Sequence, residues 1–359
     1  MLFNINLLVW NEKFWCANMI LGVIQLGGEK WERELRLVLF LVFILIMSLS
    51  MFGCVFDKSK KKSAEKQMTD AEIEGLFELD KHSENEYYIK GYKGTVPDVK
   101  IPSTYKGKKI VAFTPETFQK TSIKSIDIPS TIDRIQAKSF LECTDLKTVK
   151  LNEGLKMILT SAFQSSGVEN ITIPGTVEEI DYYAFKDCAS LKTVTMEKGI
   201  KKLDIKDGAF MGCKIDNMTL PGRMTEVVEN VLYLTTSIKN IVLSDGVKKI
   251  NENAFSGLKL ETITIPGNVT TIGSSAFKKS TLKTVILNEG LKEISDYVFS
   301  QTLIESIVIP KSVEKVGANV FENCEQLKNI NCKANSKSSG WDAGWNMFTT
   351  ATVAWGYLG

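Results

Sequence analysis

The chain has 359 residues, 44% of them hydrophobic and 24% charged, which is enough apolar material for a sizeable core. Its formal net charge is only +2, with the two signs interspersed, so there is no electrostatic case for nucleic-acid binding. The single histidine, His82, lies in a polar stretch without a nucleophile partner and reads as a solvated surface residue.

From the N-terminus, residues 37–51 read LVLFLVFILIMSLSM behind Arg33 and Arg36. A cationic start followed by an apolar run is the layout of an export signal. The run ends at Gly53-Cys54 and turns polar at Asp57-Lys58-Ser59-Lys60-Lys61-Lys62. The segment 35–54 resembles a bacterial lipoprotein signal, which implies that Cys54 is lipidated and becomes the mature N-terminus. Gly53 fits that pattern, whereas Met51 and Phe52 are less usual in the two places before it. The other reading is an uncleaved membrane anchor, since residues 37–56 are about long enough to span a bilayer. Both readings make the rest of the chain extracytoplasmic, attached to a bacterial membrane or surface. Residues 1–34 stand where a signal should already have begun. They are read as an N-terminal extension, either untranslated or a short membrane-associated segment, and are left out of the fold. Residues 55–68 are Lys/Ser-rich and read as a flexible tether. Residues 69–100 are expected to cap the N-terminal end of the fold. Within them Thr69-Asp70-Ala71-Glu72 matches a capping box and predicts a short helix reaching about Leu79.

An internal repeat governs the remainder. One aliphatic position recurs as Ile128, Leu151, Ile173, Met196, Leu220, Leu243, Ile265, Leu287, Ile309 and then Cys332, in steps of 22 to 24 residues. A phenylalanine follows in nearly every unit, from Phe140 to Phe321, with Leu232 in its place once. Phe210 comes late, after a two-residue insertion, and an earlier unit runs from Ile101 to Phe118 around the insertion Tyr105-Lys106-Gly107-Lys108-Lys109. Each unit opens with period-two alternation, as a short strand should. No unit can bury its own apolar face, so stacking must bury them together, one parallel strand per coil at ~4.8 Å.

Cys188-Ala189-Ser190-Leu191 and Ile173-Pro174-Gly175-Thr176-Val177-Glu178-Glu179-Ile180, with Ala184-Phe185, are similar to the units of BspA-type (Treponema-type) leucine-rich repeats. The likeness covers residues 101–332. It implies an α/β-type leucine-rich-repeat solenoid: a right-handed coil stack of about ten coils with a parallel sheet on one face. It also implies an extracellular protein, in a family where some members are adhesins.

A finer pattern has twice that period. Proline follows the aligned aliphatic in alternate units, at Pro129, Pro174, Pro221, Pro266 and Pro310. Charge alternates in step through Lys147, Glu169, Lys192, Asp216, Lys239, Glu261, Lys283, Glu305 and Lys328. Glu261 is therefore expected between Lys239 and Lys283, and a pair of coils is expected to be the structural unit.

The outward strand position gives a candidate ligand-binding strip at Thr219, Val242, Thr264, Ile286 and Val308, where apolar atoms would face solvent. β-Propensity alone also explains these residues. Residues 333–359 break the repeat and carry Trp341, Trp345, Phe348, Trp355 and Tyr357. They read as a C-terminal aromatic cap, with Trp341 and Trp345 as candidate sugar-stacking residues beside Asp342. Cys143, Cys188, Cys213 and Cys324 share the slot three residues after a phenylalanine and read as interior thiols, although Cys188 and Cys213 are placed so that a bridge is conceivable. No Cys-x-x-Cys pair and no phosphate-binding glycine loop occurs, so neither metal, cofactor nor catalysis is expected. The reading is a monomeric surface protein binding a protein or glycan ligand. The alternatives are a structural surface component without a ligand and, remotely, a carbohydrate-active enzyme.

Overall fold

The structure is a computed structural model that describes residues 67–235 and 237–359. Cys54, the export segment, the N-terminal extension and most of the tether lie outside the described residues.

The N-terminal cap is built first. Helix α1 (Asp70–Leu76) opens on a complete capping box, in which Thr69 Oγ1 accepts from the Glu72 amide and Glu72 accepts from the Thr69 amide. The helix stops at Leu76, short of the expected Leu79. Phe77 is extended and buried, and it begins strand β1 (Phe77–Ser83), which pairs antiparallel with β2 (Glu86–Tyr92). The gain from burying Phe77 against Tyr92, with ring centroids 5.7 Å apart, outweighs one more helical turn in a segment this short. Beyond β3 (Asp98–Lys100), the insertion around Tyr105 forms a hairpin between β4 (Thr104–Tyr105) and β5 (Lys108–Phe113). Its two loop residues, Lys106 and Gly107, both take positive φ (49° and 73°), the geometry that suits the twist of a two-residue hairpin.

From β3 onward the chain winds into a solenoid. Twelve short strands, one per coil, run from β3 to Thr352–Trp355. Their residues alternate between exposed and buried, so Ile171, Ile173, Met218, Leu220, Ile263 and Ile265 line the interior. The phenylalanine column stacks behind them. Phe118, Phe140, Phe163, Phe185 and Phe210 sit 4.9 to 5.3 Å apart with their rings within 10° of parallel. Leu232 interrupts the column, and stacking resumes through Phe277, Phe299 and Phe321.

Two features differ from the sequence reading. Helix is confined, among the described residues, to α1. A second parallel ladder of two-residue strands also runs along another side of each coil, from Arg134–Ile135 to Lys315–Val316. It forms because the V-x-x-I segment is itself extended where it turns its isoleucine inward. This ladder is interrupted once, between Asp204–Ile205 and Glu226–Val227.

The two-coil period has a physical basis in the main ladder. All four residues of Asn170–Ile173 pair with Thr193–Met196, and the same holds from Asn217–Leu220 to Asn240–Leu243 and from Thr262–Ile265 to Thr284–Leu287. Each of these junctions leaves a proline-bearing coil. At junctions that enter one, Thr148 alone pairs with Asn170, and only Asn217 and Met218 reach the preceding strand. Between Asn240–Leu243 and Thr262–Ile265, and between Thr284–Leu287 and Ser306–Ile309, the ladder is open.

The reason lies one residue past the strand. The amides of Glu197, Ser244, Asn288 and Lys333 each donate to the aligned carbonyl of the coil before, at 3.0 to 3.2 Å. Pro174, Pro221, Pro266 and Pro310 occupy that place in the alternate coils and have no N–H to give. Glycines tighten the same pairs: a Cβ on Gly246 would lie 1.5 Å from Gly222 O, and one on Gly290 would lie 1.9 Å from Gly267 O. A coil pair is thus closed by a full ladder and a close turn, and joined to the next pair more loosely.

Candidate functional site

The strand face of the coils presents two outward columns. The expected strip forms one of them. Thr219 pairs in register with Val242, and Thr264 with Ile286. Val242 and Ile286 are 46% and 51% exposed, Thr219 and Thr264 are exposed, and Val308 is half-buried. Sequence reasoning missed the second column, two residues earlier, where Asn217, Asn240, Thr262, Thr284 and Ser306 all face outward. Its signal was the period-two partner of the strip. The two columns flank a groove of about 420 Å³, lined by Asn240, Val242, Thr262, Thr264, Thr284 and Ile286 with Pro266 at one end. The groove overlies the open junction between Asn240–Leu243 and Thr262–Ile265, and no charged residue lines it.

Beside this strip runs the charge column. Lys147–Glu169, Lys239–Asp216 and Lys283–Glu261 form ion pairs of 3.2, 3.6 and 3.4 Å, all between exposed side chains. Glu261 does not bridge both neighbours as expected. Among the described ion pairs it reaches Lys283 only, because the open junction separates it from Lys239. A second groove, of about 400 Å³, lies by the insertion at Gly199-Ile200-Lys201 and is lined by Glu153, Lys156, Glu178, Lys198 and Lys201. Arg223 reaches back over this coil and donates to the carbonyls of Val177 and Pro174. Its burial lowers the guanidinium pKa.

Trp341 and Trp345 do not offer ring faces to a sugar. They are 4% and 3% exposed. Trp345 takes the phenylalanine slot against Phe321 at 6.2 Å, while Trp341 packs on Trp345 and Trp355 and bridges to Val316. Thr352–Trp355 pairs residue for residue with Asn329–Cys332. The tail is therefore one more coil, with tryptophans in place of the usual core residues.

The thiol slot is polar in its bonding. The Sγ–H groups of Cys143, Cys188, Cys213 and Cys324 donate to the carbonyls of Phe118, Phe163, Phe185 and Phe299 at 2.9 to 3.0 Å, and Thr235 does the same toward Phe210. All the described cysteines are free and buried, so Cys188 and Cys213 are not bridged. Burial pushes the Cys213 thiol well above its usual range and the Cys332 thiol up to about 11. Among the described residues no cluster of His, Cys, Asp and Glu has the makings of a metal site, and no helix is long and apolar enough to cross a membrane.

Parallel coils of one short strand each, with aliphatic and phenylalanine columns inside, define a leucine-rich-repeat solenoid. The model of the BspA type leucine-rich repeat region matches residues 112–233 and 203–328 in 6 copies, 217 of the 359 residues together, and the chain belongs to that family. A comparison with curated proteins finds none that matches. Among solved structures, the chain is similar to a leucine rich cell surface protein of Faecalibacterium prausnitzii, at 23% identity over 74% of this chain and 76% of that one, TM-score 0.44. It is similar to the pneumococcal vaccine antigen PcpA at 20% identity over 75% and 82%, TM-score 0.47. A leucine-rich repeat protein of Bacteroides ovatus is 19% identical over 78% and 98%, TM-score 0.42.

Proposed function

We propose that the protein is a non-enzymatic binding or adhesion protein displayed on a bacterial surface. Its strand-face strip of Thr219, Val242, Thr264, Ile286 and Val308 is the contact surface for a protein ligand. The observation that carries this reading is the uncharged groove flanked by two half-exposed aliphatics, Val242 and Ile286. Exposed apolar atoms lining a concavity cost free energy unless a partner covers them, and a rigid solenoid holds them in place without further ordering cost. Family membership supports a repeat that serves as a scaffold. Anchorage belongs to the same reading, through lipid on Cys54 or through an uncleaved apolar span.

The test is adhesion of cells displaying the full chain to purified surface proteins of host and neighbouring bacteria. Val242→Lys and Ile286→Lys should abolish capture of any ligand that the wild type takes, with surface expression unchanged. Capture that persists in both variants would place the contact elsewhere. Fatty-acid labelling tests the anchor: label should enter the wild type and be lost in Cys54→Ala.

A further inference from the structure

The coil that bears the insertion is abnormal on its turn face as well. Ten successive coils, from Glu116 to Asn323, have two turn residues in the left-handed region, such as Ser161 and Ser165 in one coil or Asn253 and Gly257 in another. The inserted coil has glycine at both, Gly208 and Gly212 (φ 64° and 70°), and no other coil between residues 138 and 323 does. The coil before it spreads into the cleared space. A Cβ on Gly208 would lie 2.6 Å from Tyr183 Cε1, and one on Gly212 would lie 2.4 Å from Asp187 Oδ1, so a ring and a carboxylate lean across the glycine backbone. The coil after it adds Tyr233, whose carbonyl accepts from the Gly212 amide at 2.9 Å.

Tyr183 itself is held at φ 59°, where a bulky side chain is disfavoured and where most coils place Ser, Asn or Gly. Tyr297 is the other tyrosine in this slot, and there the hydroxyl is tied down by Asn319 Nδ2 at 2.9 Å. The hydroxyls of Tyr182, Tyr183 and Tyr233 have no such partner among the described residues, and the three residues are 49%, 38% and 43% exposed.

We propose that Tyr183, Asp187 and Tyr233 form a binding site for a neutral hexose glycan, on a different face from the strand strip. An aromatic ring backed by glycine on one side is a rigid platform for the C–H face of a pyranose, and a phenol or carboxylate at its edge binds the sugar hydroxyls. Tyr183 supplies the platform and Asp187 the acceptor. Tyr233 lies two coils from Tyr183, about 10 Å along the stack, where it meets a second part of a linear chain. Lys186 offsets the charge of Asp187 beside the ring, which suits an uncharged ligand. Lys186 Nζ lies 3.9 Å from Asp187 Oδ2 and hovers 5.3 Å above the Tyr183 ring, a loose contact that a sugar can displace.

The experiment is calorimetry or surface plasmon resonance on the full chain, with cellohexaose, N-acetylchitohexaose and maltohexaose as the probes. At least one should bind saturably. Tyr183→Ala and Tyr233→Ala should each weaken it by about tenfold, as truncation of an aromatic anchor does, while Tyr183→Phe keeps the platform and most of the affinity. Circular dichroism checks each fold, and Tyr233→Ala stands in if Tyr183→Ala is disturbed. Ile286→Lys should leave sugar binding unchanged, which separates this site from the strand strip. The proposal is overturned if none of the three sugars binds, if binding survives both alanine variants, or if the ligand captured there proves to be a peptide.

Discussion

Asn288→Pro would install the alternate-coil proline in a coil that lacks it, and the structure sets what that should cost. The Asn288 amide donates to the Ile265 carbonyl at 3.2 Å, and Ile265 is fully buried. The backbone tolerates proline here, since the equivalent residues are Pro266 and Pro310, and Leu287 before it is already extended. What remains is the lost bond. Leaving a buried carbonyl unpaired costs about 1–3 kcal/mol. Proline also restricts the unfolded chain, which returns about 0.4–1 kcal/mol. The net loss should be about 1.3 kcal/mol from the midpoints of those two ranges, and at most about 2.6 kcal/mol. The reverse change, Pro266→Ala, orphans no buried group: it offers an N–H to Leu243 across an open junction, where a bond gained contributes only about 0.5–1.5 kcal/mol, and it frees the unfolded chain by about 0.4–1 kcal/mol, so stability should move by less than about 1 kcal/mol. A solenoid opens locally as well as globally, so urea denaturation is paired with hydrogen exchange. Asn288→Pro should speed exchange across Thr284–Leu287, and Pro266→Ala should slow it across Thr262–Ile265. If Asn288→Pro is as stable as the wild type, with exchange unchanged, the missing proline amide is not what divides the solenoid into coil pairs.

Three further outcomes follow from the packing and charges. Phe185→Ala removes a ring stacked 5.1 and 5.3 Å from Phe163 and Phe210. It should destabilise by about 3–5 kcal/mol in urea, against a negligible shift for the exposed control Lys192→Ala. Glu261→Gln breaks one exposed pair with Lys283 and should cost less than about 1 kcal/mol; Glu261→Lys should cost somewhat more, and both losses should shrink in high salt. The Cys332 thiol, raised by burial from 9.0 to about 11, stays protonated in the fold after it would ionise in the unfolded chain. Its contribution to stability is therefore complete below about pH 9 and lost as pH rises toward 11. Midpoints of Cys332→Ala and wild type measured from pH 7 to 11 should converge with rising pH.

What the sequence determined by itself is the repeat and its interior. The recurrence of Ile, Leu and Phe at fixed spacing admits one economical burial, coil upon coil, because no single unit has a partner face of its own. The strand register, the phenylalanine column and the shared cysteine slot all follow from that spacing. The proline alternation was visible too, as a two-coil period without a cause. Only the tertiary structure supplied the cause, since whether an amide finds a carbonyl depends on the neighbouring coil some 22 residues away and not on local pattern. It also decided the tail. Trp341 and Trp345 stand in a segment that has left the repeat, where the sequence admits an aromatic cap or a sugar-stacking pair, and pairing of Thr352–Trp355 with Asn329–Cys332 turns them inward. Tyr183 reverses the case. In the sequence it is the second of two tyrosines ahead of Ala184-Phe185, and it becomes a platform only because Gly208, in the next coil, leaves room for its ring. Spacing fixes which residues face inward; which of the outward ones meet each other is settled between coils.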